Sequence, residues 1–136
     1  MFTDEELTYL AEQPLGRLAT AQENGTLQVS PVGFGYNAET KTIDVTGYNL
    51  AKSKKFRNVR ANGRVAFVVD DQPSRDPMRV RCLEIRGHAE ALTGINVPDG
   101  HLDDAVIRIF PERIISFGVG DWDHEPLELK RNFRNV

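Results

Sequence analysis

The sequence predicts a small, mainly antiparallel β-barrel with flanking helices, and three observations carry that reading. From Arg17 onward the apolar residues recur with period two in short runs, the spacing of half-buried strands. Asn24-Gly25 separates two of those runs and is a strong hairpin signal. The chain has 136 residues, 40% hydrophobic and 27% charged, enough for one packed core without disulfide staples.

The first dozen residues read as a helix. Thr3 followed by Glu6 forms a capping box, Asp4 and Glu5 complement the positive end of the dipole, and Leu7, Leu10 and Ala11 supply an apolar face. Pro14 and Gly16 stop it. Leu18 to Ala21 is a strand, and after the Asn24-Gly25 turn the return strand runs from Leu27 to about Tyr36. Pro31 lacks a ladder donor and marks an edge or bulge. Gly33 and Gly35 leave backbone bare, as a closely approaching flat ligand or second chain would require. A turn over 37–41 leads to a short strand around Ile43 and Val45.

Between Asp44 and Asp70 lie six basic residues and no acid: Lys52, Lys54, Lys55, Arg57, Arg60 and Arg64. Phe56 and Val59, three apart, predict a short helix that Asn62-Gly63 ends. Val65 to Val69 is a continuous apolar run, predicted to be buried on both faces. A loop over 71–78 follows. Arg79 to Leu92 reads as a long strand with a bulge near Cys82-Leu83, and 105–110 and 114–117 as two strands split by Pro111-Glu112-Arg113. The segments 93–104 and from Gly118 onward read as loop-rich.

Seventeen basic against twenty acidic residues give a net charge of −3, which offers no global electrostatic case for nucleic acid. A single cysteine, Cys82, excludes an internal disulfide and a Cys-rich zinc site and fits a reducing compartment. No apolar run reaches the roughly 18 residues of a membrane span, and the acidic start is unlike a signal peptide. The expectation is one cytoplasmic domain over residues 1–136, with no nucleic-acid or membrane partner. His88, His101 and His124 lack ligand spacing, so no metal site is expected. Walker, dinucleotide, nucleophile-elbow and metalloprotease motifs are absent.

The informative element is Ser53-Lys54-Lys55 at a helix start. Unpaired N–H groups, a hydroxyl and two ammonium groups there make an anion site; a solvated charged face is the alternative. Asp44-Val45-Thr46-Gly47-Tyr48-Asn49 followed by Ser53-Lys54-Lys55 resembles the strand–turn–"S-[RK]-K"–helix element of the pyridoxamine 5'-phosphate oxidase-like split-barrel flavoproteins. Ser30-Pro31-Val32 resembles that family's flavin-ring strand, and Arg81 to Gly87 resembles its "R-x-[VL]-x-[IV]-x-G" strand. The opening helix followed by Leu15 to Thr20 is typical of it. Residues 109–118 are similar to the closing strands of small actinobacterial members assigned to the deazaflavin coenzyme F420.

The resemblance implies a split β-barrel homodimer, FMN-binding-like, with cofactor sites at the subunit interface. It implies that Ser53, Lys54 and Lys55 hold the cofactor phosphate, that Thr46 and Gly47 line the approach, and that the backbone of Pro31, Val32 and Gly33 lies along the ring. Lys52 is a possible extra contact, and Arg81 and Trp122 are candidates to complete the partner's site. The chain has Ser30-Pro31-Val32 where true pyridoxamine phosphate oxidases place an arginine before the valine, Cys82 where they have glutamine, and a C-terminal segment unlike theirs, so vitamin B6 oxidation is not expected. The implied function is an F420-dependent oxidoreductase moving hydride between the deazaflavin and a small conjugated substrate. FMN on the same scaffold is the alternative, Arg57 and Arg60 hinting at the polyanionic tail of F420. A non-catalytic binder for storage or sensing, holding deazaflavin, flavin or haem, is the rival of another class, and a barrel with an empty site the blandest reading. Tyr48, His88 or water could supply a proton, and no catalytic residue is assigned.

Overall fold

The structure is a computed structural model that describes residues 1–95 and 103–136. Helix α1 (Asp4–Glu12) precedes strands β1 (Gly16–Ala21), β2 (Leu27–Asn37) and β3 (Thr42–Thr46); helix α2 (Lys54–Asn62) follows. The chain continues through β4 (Arg64–Arg75), β5 (Met78–Leu92), β6 (Val106–Phe117) and β7 (Asn132–Asn135). The sheet runs β3-β2-β1-β4-β5-β6-β7, and β3 also pairs with β6, closing six strands into a barrel. Ile43 to Val45 of β3 pair with 107–109 of β6, whereas β7 takes over the same strand at Arg113 to Ser116.

Local chemistry explains the elements. Thr3 Oγ1 accepts the Glu6 N–H at 3.1 Å while Glu6 Oε1 accepts the Thr3 N–H at 2.9 Å, the reciprocal capping box of α1. The buried face of α1 is Glu6, Tyr9 and Leu10, with Ala11 exposed. In the β1–β2 turn the Gly25 N–H bonds the Gln22 carbonyl at 2.9 Å, and Gly25 takes φ +89°. The turn therefore centres on Glu23-Asn24, and only the glycine needs the left-handed region. Ser53 caps α2 and Gly63, at φ +72°, ends it. Phe56, fully buried, and Val59 seat α2 against the barrel, where burying such a phenylalanine contributes roughly 1.5–3 kcal/mol. Asn58 Nδ2 adds bonds to Thr20 Oγ1 at 3.0 Å and Gln28 Oε1 at 3.3 Å, so α2 docks in one register over β1 and β2.

Several sequence expectations need correction. The bulge expected at Cys82-Leu83 is absent: both residues stay in register with Asp70 and Val69 of β4. Alternation on β5 is unbroken, with Leu83, Ile85 and Ala89 inside; half-buried Cys82 faces the other way, which mimicked a phase slip. The bulges lie between Asp71 and Ser74 of β4 and at Glu112 of β6, opposite the Arg86/Gly87 step. Pro111 sits inside one continuous β6 rather than between two strands, its missing donor accommodated at that bulge. A Cβ on Gly87 would stand 2.2 Å from the Phe110 carbonyl oxygen, so the bulge requires glycine there. The expected loop 71–78 is mostly strand, since β4 runs to Arg75. Val65 to Val69 alternate between buried and half-buried rather than being buried on both faces. The loop-rich tail contains β7, and residues 96–102, including His101, lie outside the described residues.

Candidate functional site

β2 changes partner halfway along. Residues up to Val32 pair with β1, and from Gly33 onward they pair with β3. At the crossover the strand alternates: Pro31 is exposed, Val32 is in the core, and Gly33 and Gly35 return to the outer face. Only the backbone of Val32 is therefore open to a ligand on that face. A Cβ built on Gly33 or Gly35 would meet nothing within 4 Å, so this strip of main chain faces open space. Gly33 stands directly opposite Thr46, which brings the ring-strand residues beside the end of β3.

From Thr46 the chain passes through Gly47, the 70% exposed Tyr48, and Asn49 at φ +53°. A 3-10 turn over Leu50–Lys52 then delivers Ser53 to the N-cap of α2. The Ser53 hydroxyl donates to the Leu50 carbonyl at 2.6 Å and accepts the Phe56 N–H at 3.2 Å. Its proton is thus committed to the loop. The N–H groups of Lys54 and Lys55 find no acceptor among the described residues. With the helix dipole and two ammonium groups, they form the anion-attracting end of α2. Arg57 folds back to donate to the Lys52 carbonyl at 2.9 Å, and Arg60 lies 5.0 Å over the Phe56 ring, so both cations already have partners, one on the preceding 3-10 turn and one on α2 itself.

One residue that sequence reasoning missed braces this loop. Asp103 Oδ2 accepts the Ala51 N–H at 3.1 Å, and its own N–H reaches the Gly47 carbonyl at 3.4 Å. It falls in a segment without periodicity, and no local pattern signals a contact across 52 positions.

The remaining candidates lie elsewhere. Arg81 donates to both Asp71 oxygens, at 2.8 and 2.6 Å, and lies 4.8 Å over the Tyr9 ring. The Arg81 bonds hold the Asp71 carboxyl below its usual range, while burial and the bond to Asp71 push the Tyr9 hydroxyl up. Arg81 is a fixed cation tying α1 to β4 and β5. His88 stacks on Phe110 at 5.0 Å between centroids and 9° between planes, with Glu112 at 3.6 Å from Nδ1. It lines a groove of about 850 Å³ on the outer sheet, with Ala19, Leu27, Ala66, Arg86 and Arg113. None of Pro31, Val32, Gly33, Thr46, Gly47, Ser53, Lys54 and Lys55 lines that groove. The Cys82 thiol is pushed up to about 11 by burial and by Asp70 and Glu84, the opposite of a reactive thiolate. Trp122 is half-buried in a turn. Among the described residues, no three His, Cys, Asp or Glu side chains gather as a metal site. No described helix is long and apolar enough to cross a membrane.

A closed antiparallel barrel in which β3 and β7 share one edge of β6 is a split β-barrel. Residues 2–115 match the family profile described as Pyridoxamine 5'-phosphate oxidase, and the chain belongs to that family. Over 119 residues it is 49% identical to a 5a,11a-dehydrotetracycline/5a,11a-dehydrooxytetracycline reductase of Streptomyces rimosus, covering 87% of this chain and 84% of that one. A solved F420 reductase superposes with TM-score 0.56 at 28% identity, covering 76% of this chain and 90% of the other. The FAD binding protein of Mycobacterium smegmatis superposes with TM-score 0.60 at 21% identity, covering 85% and 93%.

Proposed function

We propose that the protein is an F420-dependent oxidoreductase that acts as a homodimer on a conjugated, fused-ring small molecule. The observation that carries this reading is that the bare backbone strip at Gly33 and Gly35 pairs with the end of β3, Gly33 opposite Thr46, from which one short loop leads to a helix start whose Lys54 and Lys55 N–H groups are open. A flat ring bearing a phosphate fits those two features together. Kinship with a reductase and the likeness to an F420 reductase support the redox class.

In this reading Lys54 and Lys55 hold the phosphate through main-chain N–H and ammonium groups, and Ser53 fixes the helix start that aims them. Thr46 and Gly47 border the approach. Pro31, Val32 and Gly33 offer flat main chain to the ring, with the Val32 side chain anchoring that strand in the core. Reduced F420, when bound, supplies a hydride; the protein supplies orientation and electrostatics. Hydride addition to a conjugated double bond leaves a carbanion that needs a proton. Tyr48, exposed on the loop that leads to Ser53, is better stationed to donate one from its phenolic oxygen than His88 in the outer groove.

The dimer accounts for surface a single copy leaves open. Leu27 and Val29 are 78% and 68% exposed, and Ala19, opposite Val29, is opposite Ala66 on its other side, so the outer sheet carries an apolar row into the groove. A second copy covering that row would exclude water from the neighbouring cofactor face. FMN is the second reading, favoured by the likeness to an FAD binding protein and by a phosphate site that both cofactors satisfy.

The test is anaerobic turnover: reduced F420 mixed with a dehydrotetracycline-type substrate, followed by the return of oxidised-cofactor absorbance. The reading expects substrate-dependent oxidation that saturates. Oxidation at the same rate without substrate, or only with reduced FMN, would overturn it.

A further inference from the structure

Asp103 does more than shape the turn before β6. An aspartate two residues before Ala105 commonly caps that residue's N–H, and Asp103 Oδ1 does so at 3.2 Å. That local turn accounts for one oxygen only. The other oxygen takes the Ala51 N–H at 3.1 Å, and the Asp103 N–H reaches the Gly47 carbonyl at 3.4 Å. Asp103 thereby grips both ends of the loop that joins β3 to α2. The other bonds of that loop are short-range: the Lys52 N–H to the Asn49 carbonyl at 3.0 Å, the Ser53 N–H to the Leu50 carbonyl at 3.0 Å, and Arg57 to the Lys52 carbonyl at 2.9 Å, so among the described residues Asp103 alone ties it to the segment before β6. Asn49 is left-handed, Tyr48 is exposed, and Leu50 is the buried side chain of the 3-10 turn. The next residue after the turn is Ser53, whose hydroxyl spends its proton on the Leu50 carbonyl.

We infer that Asp103 is a positioning residue for the cofactor-phosphate site: it clamps the 47–52 loop so that the open N–H groups of Lys54 and Lys55 keep one direction. The inference rests on the phosphate reading of α2 given above. Its physical content is preorganisation: a clamped loop has little ordering entropy left to lose when an anion arrives. Asn in this place keeps the shape but has one acceptor oxygen, so either Ala51 or Ala105 loses its partner. Glu keeps both oxygens and the charge.

The experiment compares binding of F420 and of its phosphate-free deazaflavin by fluorescence in wild type, Asp103→Asn, Asp103→Glu and Lys55→Ala, after thermal unfolding has established that each variant is folded. Asp103→Asn is expected to weaken F420 about tenfold, the scale of one hydrogen bond to a charged group, and to leave the phosphate-free compound unchanged. Asp103→Glu is expected to stay within about threefold of wild type, since it preserves the acceptors. Amide exchange at Ala51 should quicken in Asp103→Asn. If Lys55→Ala weakens F420 while Asp103→Asn does not, the clamp is refuted and the phosphate site stands. Should Asp103→Asn weaken both ligands equally, Asp103 is merely structural and the inference fails. If Lys55→Ala has no effect, the phosphate reading itself falls and the clamp with it.

Discussion

Replacing Arg134 with methionine tests how the C-terminal strand is held, and the size of the effect follows from the burial of its partner. Glu6 is a carboxylate with only 2% of its side chain exposed, and Arg134, 25% exposed, is its cation. The Ser116 hydroxyl donates to Glu6 Oε2 at 2.7 Å and the Thr3 N–H to Oε1 at 2.9 Å. Burial alone would raise the Glu6 carboxyl; the bonds from Arg134, Ser116 and Thr3 outweigh it and hold the group below its ordinary range. A folded-state value below the unfolded one means that Glu6 adds stability above the unfolded pKa, about 4.3, and loses it as pH falls through the folded value. Without Arg134 its hydrogen bond and its charge no longer offset the burial of Glu6, so the folded value moves up from where Arg134 holds it. The deficit relative to wild type is therefore smallest below pH about 4, where Glu6 is protonated, and grows as pH rises and the carboxylate ionises. Breaking a buried pair costs about 3–5 kcal/mol, and the surviving donors and the exposure of Arg134 reduce this to about 2–3. For a chain of this length that is a fall in Tm of about 6–12 °C at neutral pH. Thermal unfolding of wild type and Arg134→Met between pH 4 and 8 measures it, and adding Glu6→Gln should recover part of the loss at pH 7.5. An equal loss at both ends of the pH range would refute the electrostatic argument and leave only lost packing.

Three further outcomes are expected. Gly87→Ala drives a methyl into the Phe110 carbonyl of the β6 bulge and should cost about 1–3 kcal/mol in chemical denaturation, whereas alanine at Gly35, which faces open space, should cost far less. Val29→Asp, at a 68% exposed position, should shift sedimentation from dimer to monomer while leaving the fold intact; a variant still dimeric would move the interface elsewhere. Cys82 should react slowly with a thiol reagent at pH 7 and faster toward pH 11, because its thiol is held up to about 11; rapid labelling at neutral pH would contradict that assignment.

What the sequence made legible was whatever short-range chemistry encodes. The Thr3/Glu6 box, the glycine at the β1–β2 turn, and the Ser53 and Gly63 caps each declare themselves within four residues. The Gly33/Gly35 strip and the Ser53-Lys54-Lys55 helix start were likewise visible, and the fold brings Gly33 beside Thr46. What stayed hidden depends on contacts distant in the chain. Glu6 reads as a capping residue, and nothing near it announces that Arg134 from the far end neutralises it in the interior. Asn132-Phe133-Arg134-Asn135 has no alternation, since β7 is held through Arg134 rather than by an apolar face. Pro111 looked like a break because the bulge that tolerates it is defined by Gly87 on the neighbouring strand. Outward-facing Ala66 and Val68 between buried neighbours on β4 blurred the inside–outside pattern there, so the run read as buried on both faces.

The central claim is that the α2 start and the bare β2 strip recognise a phosphorylated deazaflavin. Equilibrium titration of the purified protein with F420 and with FMN, side by side by fluorescence, tests it most directly. The account predicts tight F420 binding with FMN at least about tenfold weaker, a difference of about 1.4 kcal/mol. Tighter binding of FMN would transfer the protein to the flavin branch, and binding of neither would reduce Lys54 and Lys55 to a solvated helix face.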